Sequence, residues 1–224
     1  MNKNLTEMIC ILDASGSMHG LEADTIGGYN SMLEKQKAEE GEALVSTVIF
    51  DTNCKVLHDR VPIKEAGLLT NKDYVTGGCT ALLDAVGGAI HHIGNVHKYA
   101  REEDRPAKTI VVIITDGMEN ASHRYTLDKV KQMIEHEKEK YGWEFLFLGA
   151  NIDAVTTAGR MGIEPTRAVD YCCDSVGTEM NYRAVSSAMS QMRASGSVDE
   201  NWSEEIAKDY KARGGKRGGL FHRR

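Results

Sequence analysis

The 224-residue chain has no long hydrophobic run. Its opening stretch, Met1-Asn2-Lys3-Asn4-Leu5-Thr6-Glu7, is polar, and only the short apolar run Met8 to Leu12 follows it. That run is too short for a signal-peptide core and far too short to span a bilayer, so the expected location is the cytoplasm. Paired cysteines are lacking too: Cys10, Cys54, Cys79, Cys172 and Cys173 are odd in number and show no CxxC spacing, which points to reduced thiols rather than a disulfide framework. There is no excess of positive charge, since 27 Lys and Arg stand against 33 Asp and Glu for a formal charge of −6, and this argues against broad nucleic-acid binding by the body. No internal repeat is visible. Neither a GxxxxGK[ST] phosphate loop nor a GxGxxG after the first strand occurs. What remains, with 41% hydrophobic and 27% charged residues, is a soluble globular chain long enough for one domain with a real core.

Apolar patterning divides that chain into alternating strands and helices. Strands are expected at 8–12, 43–50, 54–57, 109–115, 143–148 and 168–172. Helices are expected near 26–37, 82–99, 126–141, 152–161 and 176–193, with a short helical turn at 65–69. The second and third strands flank Asp51-Thr52-Asn53 and read as an antiparallel hairpin. The run Ile110-Val111-Val112-Ile113-Ile114 suits a central strand buried on both faces. The expected fold class is α/β: a Rossmann-like three-layer sandwich with a mostly parallel sheet of about six strands, one antiparallel edge strand, and helices on both faces.

In such a sheet, ligands bind beyond the carboxyl ends of the strands where the winding reverses. The first strand exits into Asp13-Ala14-Ser15-Gly16-Ser17-Met18, the fourth exits into Asp116-Gly117-Met118-Glu119-Asn120, and Thr80 opens the helix between them. Asp13, Ser15, Ser17, Thr80 and Asp116 offer only hard oxygen donors. These suit Mg²⁺ or Mn²⁺ and not zinc, which prefers His and Cys. Ser and Asp also favour turns and caps, so DxSxS alone says little.

Together, DASGSM after an apolar strand, GGCTALLDA opening a helix and IVVIITDGMEN leaving a second strand resemble the von Willebrand factor type A (vWA) domain over roughly residues 5–195. The resemblance implies a complete metal ion-dependent adhesion site (MIDAS) on Asp13, Ser15, Ser17, Thr80 and Asp116. It implies Mg²⁺ as the cofactor, with Mn²⁺ and Ca²⁺ as alternatives. It also implies that the hydroxyls touch the ion while the aspartates act largely through water, leaving the ion free to take a Glu or Asp carboxylate from a partner protein. The implied function is a non-catalytic, metal-dependent protein-binding module serving adaptor, assembly or scaffold roles, with an AAA+ ATPase among the expected partners and no membrane. The alternative is an Mg²⁺-dependent hydrolase of phosphate-containing substrates, for which Ser15 or Asp13 are the available nucleophiles and no general base is evident.

Other residues receive plainer readings. Glu119 and Asn120 orient the fourth-strand loop or cap a helix, and Asp84 favours the positive end of its helix dipole. His91, His92 and His97 are expected to face solvent, Met180, Met189 and Met192 to belong to the core or its flank, and Met18 and His19 to contact a partner or pack the loop. Residues 196–224 are expected to form a basic, Gly-rich tail of flexible character. Within it, 211–224 carries Arg213-Gly214-Gly215, Arg217-Gly218-Gly219 and Phe221, the only segment to which RNA binding could attach.

Overall fold

The computed structural model describes residues 1–215. Strands β1 (Asn2–Asp13), β2 (Glu42–Phe50), β3 (Cys54–Pro62), β4 (Pro106–Thr115), β5 (Glu144–Gly149) and β6 (Ala168–Asp170) form one sheet in the order β3-β2-β1-β4-β5-β6. All neighbours are parallel except the β2–β3 hairpin at the edge. Helices α1 (Glu22–Ala38), α2 (Leu82–Tyr99), α3 (Leu127–Tyr141), α4 (Ala154–Arg160), α5 (Ser175–Ser195) and α6 (Glu204–Ala212) cover it. This is the expected α/β sandwich.

Strand alternation sends successive side chains to opposite faces, and two cores result. Met8, Cys10 and Leu12 of β1, with Ile110, Val112 and Ile114 of β4, pack under α1, α5 and α6. Ile9 and Ile11, with Val111 and Ile113, pack under α2, α3 and α4. The chain thus moves from β1 to β2 across one face and from β4 through β5 to β6 across the other. The direction of winding reverses between β1 and β4, which makes their carboxyl ends the pole where a ligand site can form. Cap chemistry punctuates the helices. Thr126 accepts from the Lys129 N–H at the start of α3, Asp174 accepts from the Gly177 N–H at the start of α5, and left-handed Gly142 and Gly196 end those two helices.

Several elements differ from the sequence reading. β1 begins at Asn2 rather than Met8, because Asn2 and residues 5–7 also pair with neighbouring strands. The turn expected at 65–69 is a 3-10 turn at Ile63–Glu65. The packed body does not stop at 195: Val198, Trp202 and Ile206 are buried in the α1/α5 core. The Trp202 indole donates to the Thr166 carbonyl at 3.0 Å, and Arg167 holds the Val198 carbonyl at 2.8 Å. α6 escaped the pattern search because Ile206 is its one buried residue, too little for a helical stripe. In the expected tail, Arg213 is engaged by Asp174 and by Asp209, the latter at 2.9 Å; Arg217-Gly218-Gly219 and Phe221 lie outside the described residues. Among the described residues no helix is long and apolar enough to cross a membrane.

Candidate metal centre

Three loops meet at the pole. The first leaves β1 after Asp13, which is level with Phe50 of β2, and the Ala14 N–H donates to the Phe50 carbonyl at 2.7 Å. A short 3-10 turn over Gly16–Met18 follows, pinned inward by the buried Met18 side chain. The second loop precedes α2 and is tied to the first by two backbone bonds, Gly16 N–H to the Gly78 carbonyl at 3.2 Å and Gly77 N–H to the Ala14 carbonyl at 2.8 Å. Gly78 has φ +70°, and a Cβ there would sit 2.6 Å from the Thr52 hydroxyl, so the turn needs glycine on both counts. The third loop leaves β4 after Thr115. Asn120 clamps Thr80 from there: its side-chain oxygen accepts the Thr80 N–H at 2.9 Å and its own N–H donates to the Thr80 carbonyl at 3.0 Å.

All five oxygen-bearing residues singled out in the sequence come together. The Ser15 and Ser17 hydroxyls are 3.1 Å apart, and Ser17 donates to Asp116 Oδ1 at 2.6 Å. A Cβ placed on Gly117 would lie 3.1 Å from Thr80 Oγ1 and 3.4 Å from Ser17 Oγ, which brings the Thr80 hydroxyl to the same spot. Asp13 accepts the Ser15 N–H at 2.7 Å and the Thr115 hydroxyl at 2.5 Å. Asp13 and Asp116 are 2% and 1% exposed. Burial pushes the Asp13 carboxyl above its ordinary range; the bonds from Thr115 and Ser15 pull it back, and the like charge of Asp116 raises it further. Two buried carboxylates that repel each other, faced by hydroxyl oxygens, fit a divalent cation of the hard kind. Among the described residues no three His, Cys, Asp or Glu side chains form a metal-ligating group, so a cation held at this pole would depend on the hydroxyls.

Four contributors were not singled out from the linear pattern. Thr115 donates to Asp13 from the neighbouring strand. Tyr74, buried, donates to the Asp13 carbonyl. Asn151, at φ +55°, reaches the Asp116 carbonyl at 3.4 Å. Cys173 Sγ lies 3.5 Å from Asp116 Oδ2; burial first and then the negative charge of Asp116 push this thiol up to about 12. Only Thr115 had a usable signal, its place beside Asp116 at the end of a buried strand.

The plainer readings are also resolved. Glu119 accepts the Leu83 N–H at 2.8 Å, capping α2, and the Ala121 and Ser122 N–H groups at 3.0 and 2.8 Å. Asp84 does more than face a helix dipole: it accepts the N–H groups of His123, Arg124 and Tyr125 at 3.0, 2.9 and 2.9 Å, and so shapes the same loop. Met18 packs the loop, while His19 stays exposed and lies 3.0 Å from Glu22. Met189 and Met192 are core and Met180 flanks it. His91 and His92 face solvent, but His97 does not. It is buried at the far end of the sheet with Nε2 3.2 Å from Glu7 Oε2, because the α2 face that carries Ile90 and Ile93 brings it inward.

No family model and no curated protein sequence matches the chain. Solved structures do. Proximal thread matrix protein 1 from the mussel byssus, with a zinc-occupied MIDAS motif, is 12% identical at a TM-score of 0.57, over 80% of this chain and 46% of that one. A von Willebrand factor type A structure from Catenulispora acidiphila is 14% identical at 0.52, over 82% and 42%. The manganese-loaded TRAP protein of Plasmodium vivax is 15% identical at 0.50, over 67% and 59%. The chain spans about half the length of these structures. At these identities the likeness concerns the fold, which is that of a von Willebrand factor type A domain.

Proposed function

We propose that this von Willebrand factor type A fold is a metal-dependent protein-binding module whose MIDAS consists of Asp13, Ser15, Ser17, Thr80 and Asp116. The carrying observation is the convergence of three hydroxyls on two buried, mutually repelling carboxylates. Ser15, Ser17 and Thr80 would hold the ion directly, with Asp13 and Asp116 behind them. Bound there, a divalent cation, Mg²⁺ by our reading, supplies a Lewis-acidic centre that accepts a Glu or Asp carboxylate from a partner protein. The chain's residues set the terms of that contact. Thr115 and the Ser15 N–H hold Asp13 in place, Asn120 fixes the Thr80 backbone, and neutral hydroxyls facing the ion leave its charge only partly offset. Manganese in one similar structure and zinc in another are in keeping with a divalent site on this fold, the zinc running against the expectation that such an oxygen set excludes that ion.

We read the site as one for binding rather than catalysis, and what surrounds the two available nucleophiles supports that reading. Ser15 Oγ is engaged with Ser17, Asp13 is engaged with Ser15 and Thr115, and the nearest histidine in sequence, His19, is turned to Glu22. Nothing in the site singles out an AAA+ ATPase among acidic partners. The free cysteines favour a reducing compartment such as the cytoplasm; fractionation of the native cell checks this. The functional test is a pull-down with Mg²⁺ or with EDTA, using the wild type and Ser15→Ala/Ser17→Ala. Partners recovered only by the wild type in Mg²⁺ are the expected result; equal recovery in all arms removes the reading.

A further inference from the structure

Seven large hydrophobic side chains stand exposed among the described residues, and three of them lie on segments bonded to the candidate metal centre. Met118, 73% exposed, follows Gly117, where an added Cβ would meet the Thr80 and Ser17 hydroxyls. Val75, 65% exposed, lies between Tyr74, which donates to the Asp13 carbonyl, and Thr76-Gly77, where the Gly77 N–H reaches the Ala14 carbonyl. Val176, 55% exposed, opens α5 three residues after Cys173, whose sulfur rests against Asp116. Each side chain thus belongs to a different segment, and each segment is fixed to a site residue by a bond already described. Scattered exposed hydrophobics are ordinary, but a group gathered around a polar centre marks an interaction surface.

Arg213, paired with Asp174 two residues before Val176, is also taken up by Asp209 and so is already neutralised within the protein. Polar rims alternate with the apolar side chains. Glu22 accepts the Thr76 hydroxyl at 2.5 Å, and Asp24 accepts the Ser175 hydroxyl at 2.7 Å. A nucleic acid or acidic glycan, anionic along its length, would meet carboxylates on this rim, whereas a protein segment with a single carboxylate could set apolar side chains against Val75, Met118 and Val176. An apolar surround also excludes water from a polar contact at its centre, which strengthens the contact.

We propose that Val75, Met118 and Val176 form a specificity collar that selects protein segments in which one Glu or Asp is flanked by large apolar side chains. This rests on the metal–carboxylate reading above and adds the identity of the flanking residues. The probes are synthetic peptides with one central Glu, flanked either by Leu, Phe and Met or by Ser, Gln and Lys, with matched peptides carrying Gln in place of Glu. Binding is measured by fluorescence anisotropy in Mg²⁺ and in EDTA, for the wild type and for Val75→Ser/Met118→Ser/Val176→Ser. Loading of the site is followed separately by Mn²⁺ electron paramagnetic resonance.

The expected result is that the apolar-flanked Glu peptides bind at least about tenfold more tightly than the polar-flanked ones, and that the triple variant loses that preference while its Mn²⁺ affinity stays within about twofold of wild type. Equal binding of both Glu peptide sets, in Mg²⁺ only, would overturn the collar and leave the carboxylate reading standing. Binding that ignores Mg²⁺ and the Glu-to-Gln change would remove both. If Mg²⁺ instead drives self-association that Met118→Ser abolishes, measured by analytical ultracentrifugation, the occupant is a second copy of this chain and the proposed partner class is wrong.

Discussion

One strand, β1, carries a buried carboxylate near each end of the sheet, and the two are treated in opposite ways. Near the amino end, Glu7 is 0% exposed and is met from within the protein by the Arg60 guanidinium, Nε at 3.0 Å, and by the His97 imidazole, Nε2 at 3.2 Å. Arg60 reaches it from a bulged turn of β3 at φ +51°, and the His97 ring is braced edge-on against Trp143 at 5.4 Å. At the carboxyl end, Asp13 faces a second carboxylate and is met by hydroxyls and a backbone N–H. A buried charge is tolerated only when something compensates it. At one pole the compensation is internal and structural. At the other it is left open, and that is the difference between a core ion pair and the binding site proposed here.

The largest test of this contrast is Arg60→Ala, which strands Glu7 with His97 alone and is expected to cost about 3 kcal/mol in urea unfolding. Glu7→Gln/Arg60→Met, which removes both charges together, should cost less than Arg60→Ala. If it costs more, the pair is not the compensation described. At the opposite pole, Asp116→Ala should leave metal-free stability unharmed while weakening Mg²⁺ binding at least about a hundredfold, roughly 2.7 kcal/mol, by titration calorimetry. Wild-type melting should rise with Mg²⁺ and the variant's should not.

A smaller effect concerns Asp84. Burial alone would raise its carboxyl, but the N–H groups of His123, Tyr125 and Arg124 outweigh this and hold it below the ordinary carboxylate range. Its contribution is therefore present above the unfolded value of about 3.9 and is lost as pH falls below it. Asp84→Asn should cost about 1 kcal/mol at neutral pH and flatten the acid limb of the melting curve. The smallest effect concerns Glu137, which lies near His97. Burial raises its carboxyl, while the neighbouring charges of His136, His97 and Lys140 lower it by less. A raised carboxyl contributes stability below about 4.3 that is lost as pH climbs through the raised value. Glu137→Gln should therefore stabilise the protein at pH 7 relative to pH 4, by less than about 1 kcal/mol.

The sheet and its site were legible for the same reason. Ile9 to Leu12 and Ile110 to Ile114 are apolar runs that can only be central strands, and polar residues that break off such runs abruptly must emerge at the strand ends. Asp13, Ser15, Ser17 and Asp116 could be placed by that logic, and Thr80 by its position at the head of an amphipathic helix. The contacts that hold them in place were not legible. Tyr74 and Cys173 reach the site from segments with no periodicity of their own, and nothing in a linear pattern reports which loop folds over which. His97 was misplaced because a histidine on an apolar stripe can be drawn inward by a carboxylate 90 positions away. α6 was missed because it relies on the anchors Trp202 and Ile206 rather than on a full apolar face.

Gly117 gives a way to occlude the site without altering its chemistry. A methyl group there would press on the Thr80 and Ser17 oxygens at 3.1 and 3.4 Å, with no positive φ to strain the backbone. Gly117→Ala removes no donor, no acceptor and no charge, yet it occupies the room between two hydroxyls that must close on a common point. It is a steric wedge: every ligand is present, but the Thr80 hydroxyl must give by a few tenths of an ångström to make room for the methyl. Such a protein would fold as the wild type does, and would report in a living cell which of the chain's activities require an occupied pole.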